Sequence, residues 1–159
     1  MQYTSEWFEK WRDEDFCLGA ITSDGNNIKY IHNPTDEMCL EAIKTTPESI
    51  QYIDNPTEEM FEKLIIDSNG HNIRYIKDPS ENICELSIYE NAYSIKWMHD
   101  PSDDIKLLAV QRNGETLQWI KNPTEEMCLN ALNENVDNIQ YVDIEAFPAV
   151  WTRYLEITT

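Results

Sequence analysis

A short phrase, written six times, constrains this chain more than any single residue does. Each copy runs Ile/Leu-x-Tyr/Trp, then Asn/Asp-Pro-Thr/Ser in five of the six, then acidic residues and an apolar run. The aromatic falls at Tyr30, Tyr52, Tyr75, Trp97, Trp119 and Tyr141, in steps of 22, 23, 22, 22 and 22 residues. The proline keeps the same rhythm at Pro34, Pro56, Pro79, Pro101 and Pro123. A fixed period of this length is the mark of stacked repeats, in which each unit buries its apolar face only against its neighbours. Such stacks present long surfaces and serve recognition more often than catalysis.

The Asn-Pro-Thr segment marks a helix start. Taking Asn55-Pro56-Thr57-Glu58 as the model, Asn55 reads as the N-cap and Pro56 as the first helical residue, with Glu58 reaching back in a capping box. The same grammar recurs at Asn33, Asp78, Asp100 and Asn122. Apolar residues then follow at intervals of one, four and five from Phe16, Met38, Met60, Ile83, Ile105 and Met127, which defines a single helical stripe. The position four residues on holds Ala20, Ala42, Leu64, Ser87, Ala109 and Ala131, mostly small enough for a neighbouring helix to come close.

Gly and Asn in the turns that follow predict left-handed helix ends. The third copy has one extra residue there, which accounts for the 23-residue step. A second, shorter helix carries the repeated Ile and aromatic; the alternation in Ile50-Gln51-Tyr52-Ile53 also permits a strand. The expected fold is all-α: an α-solenoid of six helix-turn-helix repeats over residues 15–142, between amphipathic caps at 1–14 and 143–159. Trp7, Phe8 and Trp11, behind Thr4 or Ser5, form the first cap. Phe147, Val150, Trp151, Tyr154 and Leu155 form the second, each cap covering an apolar stack end or docking on a partner.

Composition narrows the partners. With 30 acids against 12 bases the net charge is −18. Direct binding to nucleic acid or an anionic membrane needs Lys and Arg that are scarce here, so a basic protein surface is the expected partner. No apolar run of about 18 residues exists to span a bilayer, and Met1–Trp7 lacks the character of a signal peptide, so the cytoplasm is the default location. Cys17, Cys39, Cys84 and Cys128 share one register, with Phe61 and Lys106 in the other two copies. Stacked helices lie about 8–10 Å apart, too far for a disulfide, which needs Cα atoms within about 7 Å. Buried, reduced thiols are expected, and the spacing matches no zinc motif.

The octapeptide Asn-Pro-Thr-Glu-Glu-Met-Cys-Leu at 122–129, nearly repeated at 33–40, resembles tandem repeats common in uncharacterised proteins of large bacteriophages and giant viruses. The resemblance spans about residues 14–143. It implies the solenoid architecture and a viral source, with the host cytoplasm as the place of action, and it carries over no catalytic residue or cofactor. Small acidic phage proteins often inhibit host defence enzymes, so the resemblance also implies a blocker of such an enzyme.

Four groups are candidates for function. The acids Asp36, Glu37, Glu58, Glu59, Glu81, Asp103, Asp104, Glu125 and Glu126 would form a ladder if the helices stack in register. Such a ladder could enter a groove built for nucleic acid, although acids in a first helical turn also stabilise the helix dipole by about 0.3–1 kcal/mol each. Leu107 and Leu108 offer an apolar contact within the acidic field, or simply pack in the stack. The aromatic ladder reads as packing between repeats with polar edges at the rim, since stacking on bases wants basic surroundings and only Lys29, Arg74 and Lys96 supply any. His32 and His99 precede the caps in a register that also holds Asp54, Lys77, Lys121 and Asp143, the pattern of a solvated position.

No nucleophile with a base at motif spacing, no glycine-rich phosphate loop and no metal-ligand spacing occurs, so neither catalysis nor a cofactor is expected. The leading expectation is a non-catalytic acidic inhibitor of a host nucleic-acid-binding enzyme, in its sharper form an anti-restriction or anti-CRISPR nucleic-acid mimic. A general interaction scaffold, its charge serving solubility, is the alternative.

Overall fold

The computed structural model describes residues 5–159, apart from the side chains of Ser5 and Phe8. Thr4, one candidate cap of the first helix, and the Phe8 side chain lie outside the described residues. Among the described residues there are eight α-helices, six 3-10 helices that alternate with α2 to α8, and no strand. After α1 (Ser5–Lys10), six units follow. They are α2 (Glu14–Ser23) with η1 (Gly25–Tyr30), α3 (Asp36–Thr45) with η2 (Pro47–Tyr52), and α4 (Glu58–Ile66) with η3 (His71–Tyr75). Then come α5 (Glu81–Glu90) with η4 (Ala92–Trp97), α6 (Asp103–Arg112) with η5 (Gly114–Trp119), and α7 (Glu125–Glu134) with η6 (Val136–Tyr141). α8 (Pro148–Thr158) closes the chain. From α2 to α8 each α-helix packs on the next, and each 3-10 helix packs on the next, so two layers run side by side. This is an all-α solenoid.

The N-cap lies two residues later than the sequence grammar suggests. Thr35, Thr57, Ser80, Ser102 and Thr124 are the caps, and their hydroxyls accept from the backbone N–H three residues on at 3.2–3.3 Å. The proline therefore stands before the cap, not inside the helix, and Glu58 is the first helical residue rather than the far corner of a capping box. Asn33, Asp100 and Asn122 take the left-handed conformation (φ 58°, 53° and 53°) that turns the chain into the proline. A residue before proline is excluded from the right-handed helical region, and Asn and Asp tolerate the left-handed one best. The first unit uses Asp13 as its cap, accepting from Phe16 N at 2.8 Å.

Helix ends also differ from expectation. Asp24, Thr46, Asn91, Asn113 and Asn135 end their α-helices in extended conformations, with φ between −142° and −162°. The side chains of Asp24, Asn91, Asn113 and Asn135 accept from the N–H two residues on, so one residue closes the α-helix and caps the 3-10 helix. Only the third unit turns through left-handed residues, Asn69 (φ 52°) and Gly70 (φ 80°), and it is there that the extra residue is absorbed.

The second helix is 3-10 because its apolar residues recur every three positions. In a 3-10 helix side chains at i and i+3 eclipse. Pro47, Ile50 and Ile53 share one side of η2 and its end, as do Ala92, Ile95 and Met98 at η4 and Gly114, Leu117 and Ile120 at η5. The residue before each repeated Ile or Leu is polar yet mostly buried: Ser49, Asn72, Ser94, Thr116 and Asn138, with Asn27 half-buried. The three asparagines donate to carbonyls in the preceding α-helix, Asn27 to Ala20 at 2.9 Å, Asn72 to Leu64 at 3.4 Å and Asn138 to Ala131 at 2.9 Å. Each is a second bond to its carbonyl, since Ala20 and Ala131 also accept from the N–H of Asp24 and Asn135 and Leu64 also accepts from the Ser68 hydroxyl, and it satisfies the buried or half-buried amide that donates it.

The core is the α stripe plus the repeated Ile. Ile21, Ile43, Ile65, Ile88, Val110 and Leu132 are all essentially unexposed. At the N-terminal end Trp7 and Trp11 set their rings 5.5 and 5.1 Å from that of Tyr30, and Trp11 lies 5.2 Å from Phe16. At the other end Val150 is fully buried and Phe147 and Tyr154 pack on the core, whereas Trp151 and Leu155 remain exposed.

All four cysteines are free and buried. Burial, aided by the Glu81 and Glu125 carboxylates, pushes the Cys84 and Cys128 thiols up to about 11. At pH 8 these thiols should resist iodoacetamide in the native protein and react in urea, as read by mass spectrometry. A raised folded pKa means that the native state holds its proton longer than the unfolded chain. Their contribution is therefore intact below about pH 9 and lost as pH rises toward 11. The urea midpoint should fall more steeply over that window than in a Cys84→Ala/Cys128→Ala variant.

Candidate functional site

Each α-helix starts, and each 3-10 helix ends, on the same edge of the stack. That edge therefore gathers the acids of the first α turns, the aromatic of each unit and the Asn/Asp-Pro loops. Asp36, Glu37, Glu58, Glu59, Glu81, Asp103, Asp104, Glu125 and Glu126 all lie here, and all are exposed. They are not equivalent. Glu58 accepts a hydrogen bond from the Ser80 hydroxyl at 2.6 Å, and Glu81 from that of Ser102 at 2.5 Å, so these two tie a unit to the cap of the next. Asp103 pairs with Lys106 at 2.8 Å. Glu37, Glu59, Asp104 and Glu126, the second acid of their pairs, project to solvent with no such partner; of the two other units, the first carries Asp15 in that place and the fourth Asn82. Leu107 and Leu108 are half-buried and pack against the core.

The aromatic of each unit is only partly taken up by packing. Tyr52, Trp97 and Trp119 are 40%, 44% and 36% exposed, while Tyr30, Tyr75 and Tyr141 are half-buried. Cations lie between neighbouring rings. Lys29 Nζ stands 5.0 Å from the Tyr30 centroid and 5.5 Å from that of Tyr52. Arg74 spans Tyr75 and Trp97 at 4.8 and 5.6 Å, and Lys96 spans Trp97 and Trp119 at 5.1 and 5.8 Å. Each contact is within the range where a ring face attracts a cation. The sequence shows these three bases one residue before an aromatic. Their reach to the ring of the following unit requires the stack, which is why they read as incidental.

Between units the edge opens into clefts. One of about 520 Å³ has Asp36, His32, Tyr52 and Asp54 in its wall. Another of about 530 Å³ has His99, Asp103, Lys106, Trp119 and Lys121. A third, of about 470 Å³, is lined by Gln118, Tyr141, Asp143 and Phe147 among others. His32 and His99 are exposed, and His71 lies on the far edge with Nδ1 3.3 and 3.2 Å from the Ser68 and Asn69 carbonyl oxygens.

Among the described residues no group of three His, Cys, Asp or Glu could hold a metal ion, and no helix is long and apolar enough to cross a membrane. The edge offers carboxylates, ring faces and fixed cations, a chemistry of recognition. No protein-family model, curated protein or solved structure matches the chain.

Proposed function

We propose that this protein is a non-catalytic binding module that engages a basic protein surface through the edge of α-helix N-termini. The observation carrying this reading is the row of unpaired, exposed second acids, Glu37, Glu59, Asp104 and Glu126, repeated at unit intervals in a chain of net charge −18. A field of one sign held on a rigid frame attracts and orients an opposite one. Its sharper form follows from the resemblance to viral repeats: the partner is a host nucleic-acid-binding enzyme of a defence system, whose groove takes the acid row in place of phosphates. A second reading rests on α8, where Trp151 and Leu155, one turn apart, are 38% and 44% exposed, an apolar outer strip of the kind that joins proteins in a scaffold.

The test is capture from a bacterial lysate by the native protein and by a Glu37→Gln/Glu59→Gln/Asp104→Asn/Glu126→Gln variant. Nucleic-acid-binding proteins should be retained by the native form, released near 0.5 M salt, displaced by added DNA or RNA, and lost with the variant. The variant should still melt cooperatively, with a loss of up to about 1–4 kcal/mol, since each of the four first-turn acids contributes about 0.3–1 kcal/mol to its helix dipole. Capture indifferent to salt, nucleic acid and the four substitutions would sink the acidic-edge reading and favour the scaffold.

A further inference from the structure

The cation ladder along the 3-10 layer is incomplete, and its gaps point to what the edge receives. Five spaces separate six successive rings. Three are filled by Lys29, Arg74 and Lys96. In the other two, between Tyr52 and Tyr75 and between Trp119 and Tyr141, the corresponding residue is Gln51 or Gln118. Neither glutamine takes the vacant place. Gln51 Nε2 turns back to donate to the Glu48 carbonyl at 3.0 Å, and Gln118 Nε2 does the same to Glu115 at 2.9 Å. On the Tyr141 side the space adjoins the 470 Å³ cleft, lined by Gln118, Tyr141, Asp143 and Phe147, where Asp143 Oδ1 accepts from the Glu145 and Ala146 N–H groups at 3.1 and 3.3 Å.

We propose that the Trp119–Tyr141 space, and secondarily the Tyr52–Tyr75 space, binds an arginine or lysine side chain of a basic partner protein. The protein's own geometry is the template: the same pair of rings, one unit apart, accepts a guanidinium at Arg74 and an ammonium at Lys29 and Lys96. An incoming cation would meet the ring faces of two units, with the Asp143 carboxylate in the cleft on the Tyr141 side, within a field that already favours positive charge. This rests on the reading that the edge faces a basic partner and adds where its side chains seat.

The experiment fills the gap from within. Gln118→Lys places at that position the residue that already stands at 29 and 96, so it supplies an internal cation without a new shape; a thermal melt checks that the fold is kept. Gln111→Lys, on the exposed last turn of α6 at the far edge, adds the same charge away from the rings. The probe is a 12-residue peptide of alternating Arg and Ser, titrated by calorimetry at 0.15 M salt beside its citrulline counterpart and an oligo(dT) of 12 nucleotides. The native protein should bind the Arg peptide and not the citrulline one. Gln118→Lys should weaken it about three- to tenfold, and Gln111→Lys less than about twofold, because its charge lies beyond a Debye length of about 8 Å.

Equal weakening by the two variants would overturn the inference while leaving the acidic edge as the binding surface. Failure of the native protein to bind the Arg peptide would overturn both. Binding of oligo(dT), strengthened by Gln118→Lys, would replace the cationic ligand with stacked bases.

Discussion

Gly25→Ala should destabilise the protein by about 2 kcal/mol, a fall in Tm of roughly 4–8 °C for a chain of this length. The first unit approaches the second so closely at this point that a Cβ built on Gly25 meets the Ala42 carbonyl oxygen well inside van der Waals contact and lies 2.9 Å from Thr46 Cβ. The Gly25 N–H donates to the Thr46 hydroxyl at 3.0 Å, so the backbone cannot retreat without losing an inter-unit hydrogen bond. The obstacle is backbone, which yields less readily than a side chain. Gly19→Ala is the matching control. Gly19 lies exposed in the interior of α2 with nothing near its missing Cβ. There alanine should stabilise by about 0.8–1 kcal/mol, the ordinary helix-propensity gain. Thermal melts of the two variants should move in opposite directions, and a Gly25→Ala protein with native Tm would disprove the close approach.

Ile88→Ala should cost more, about 2–5 kcal/mol by urea denaturation, the range for removing a buried branched side chain that leaves a cavity. Ile88 is unexposed and sits in α5, in the fourth of six units, where α4 and α6 both pack against its helix. A stack has no global core to share the loss, because each unit is held only by its neighbours. The damage therefore falls on two interfaces at once. Ile66→Ala supplies the contrast. That residue is 53% exposed at the end of α4, and its truncation should stay within about 0.5 kcal/mol. Comparable losses for the two would mean that the stripe assignment is wrong.

The period, the number of units and the α stripe are legible in the sequence because repetition averages out local ambiguity. Six copies agree on a pattern that one copy could not establish. The caps are misread by two residues for a physical reason: Asn, Pro and Thr are each good at a helix start, and composition alone cannot say which carbonyl begins the ladder. In three of the five units a left-handed turn at Asn33, Asp100 or Asn122 uses up that residue before the helix begins, and the cap falls at the hydroxyl residue after the proline in the Asn55 and Asp78 units as well, where no such turn occurs.

The joints are misread because Asn113-Gly114 looks like a left-handed helix end. In the structure Gly114 is needed for proximity instead: a Cβ there would meet the Asn138 amide at 2.6 Å and Ala131 Cα at 2.9 Å. The polar row from Asn27 to Asn138 had a signal, a polar residue always just before the repeated Ile or Leu, but the role of its asparagines depends on carbonyls that only the fold brings near. The acids of the edge were recognisable individually. Their division into bonded Glu58, Glu81 and Asp103 and unpaired Glu37, Glu59, Asp104 and Glu126 depends on contacts with the next unit and within the helix.

The joints have a consequence for how such a chain can change length. Asp24, Asn91, Asn113 and Asn135 each end one helix and start the next, with no residue to spare. Deleting or duplicating a whole unit would carry every side chain onto an equivalent neighbour. A single inserted residue instead needs a place to be stored, as the third unit stores one at Asn69 and Gly70. Lineages that carry this repeat should therefore gain and lose reach in whole-unit steps, and the number of units measures how long a partner the edge can span.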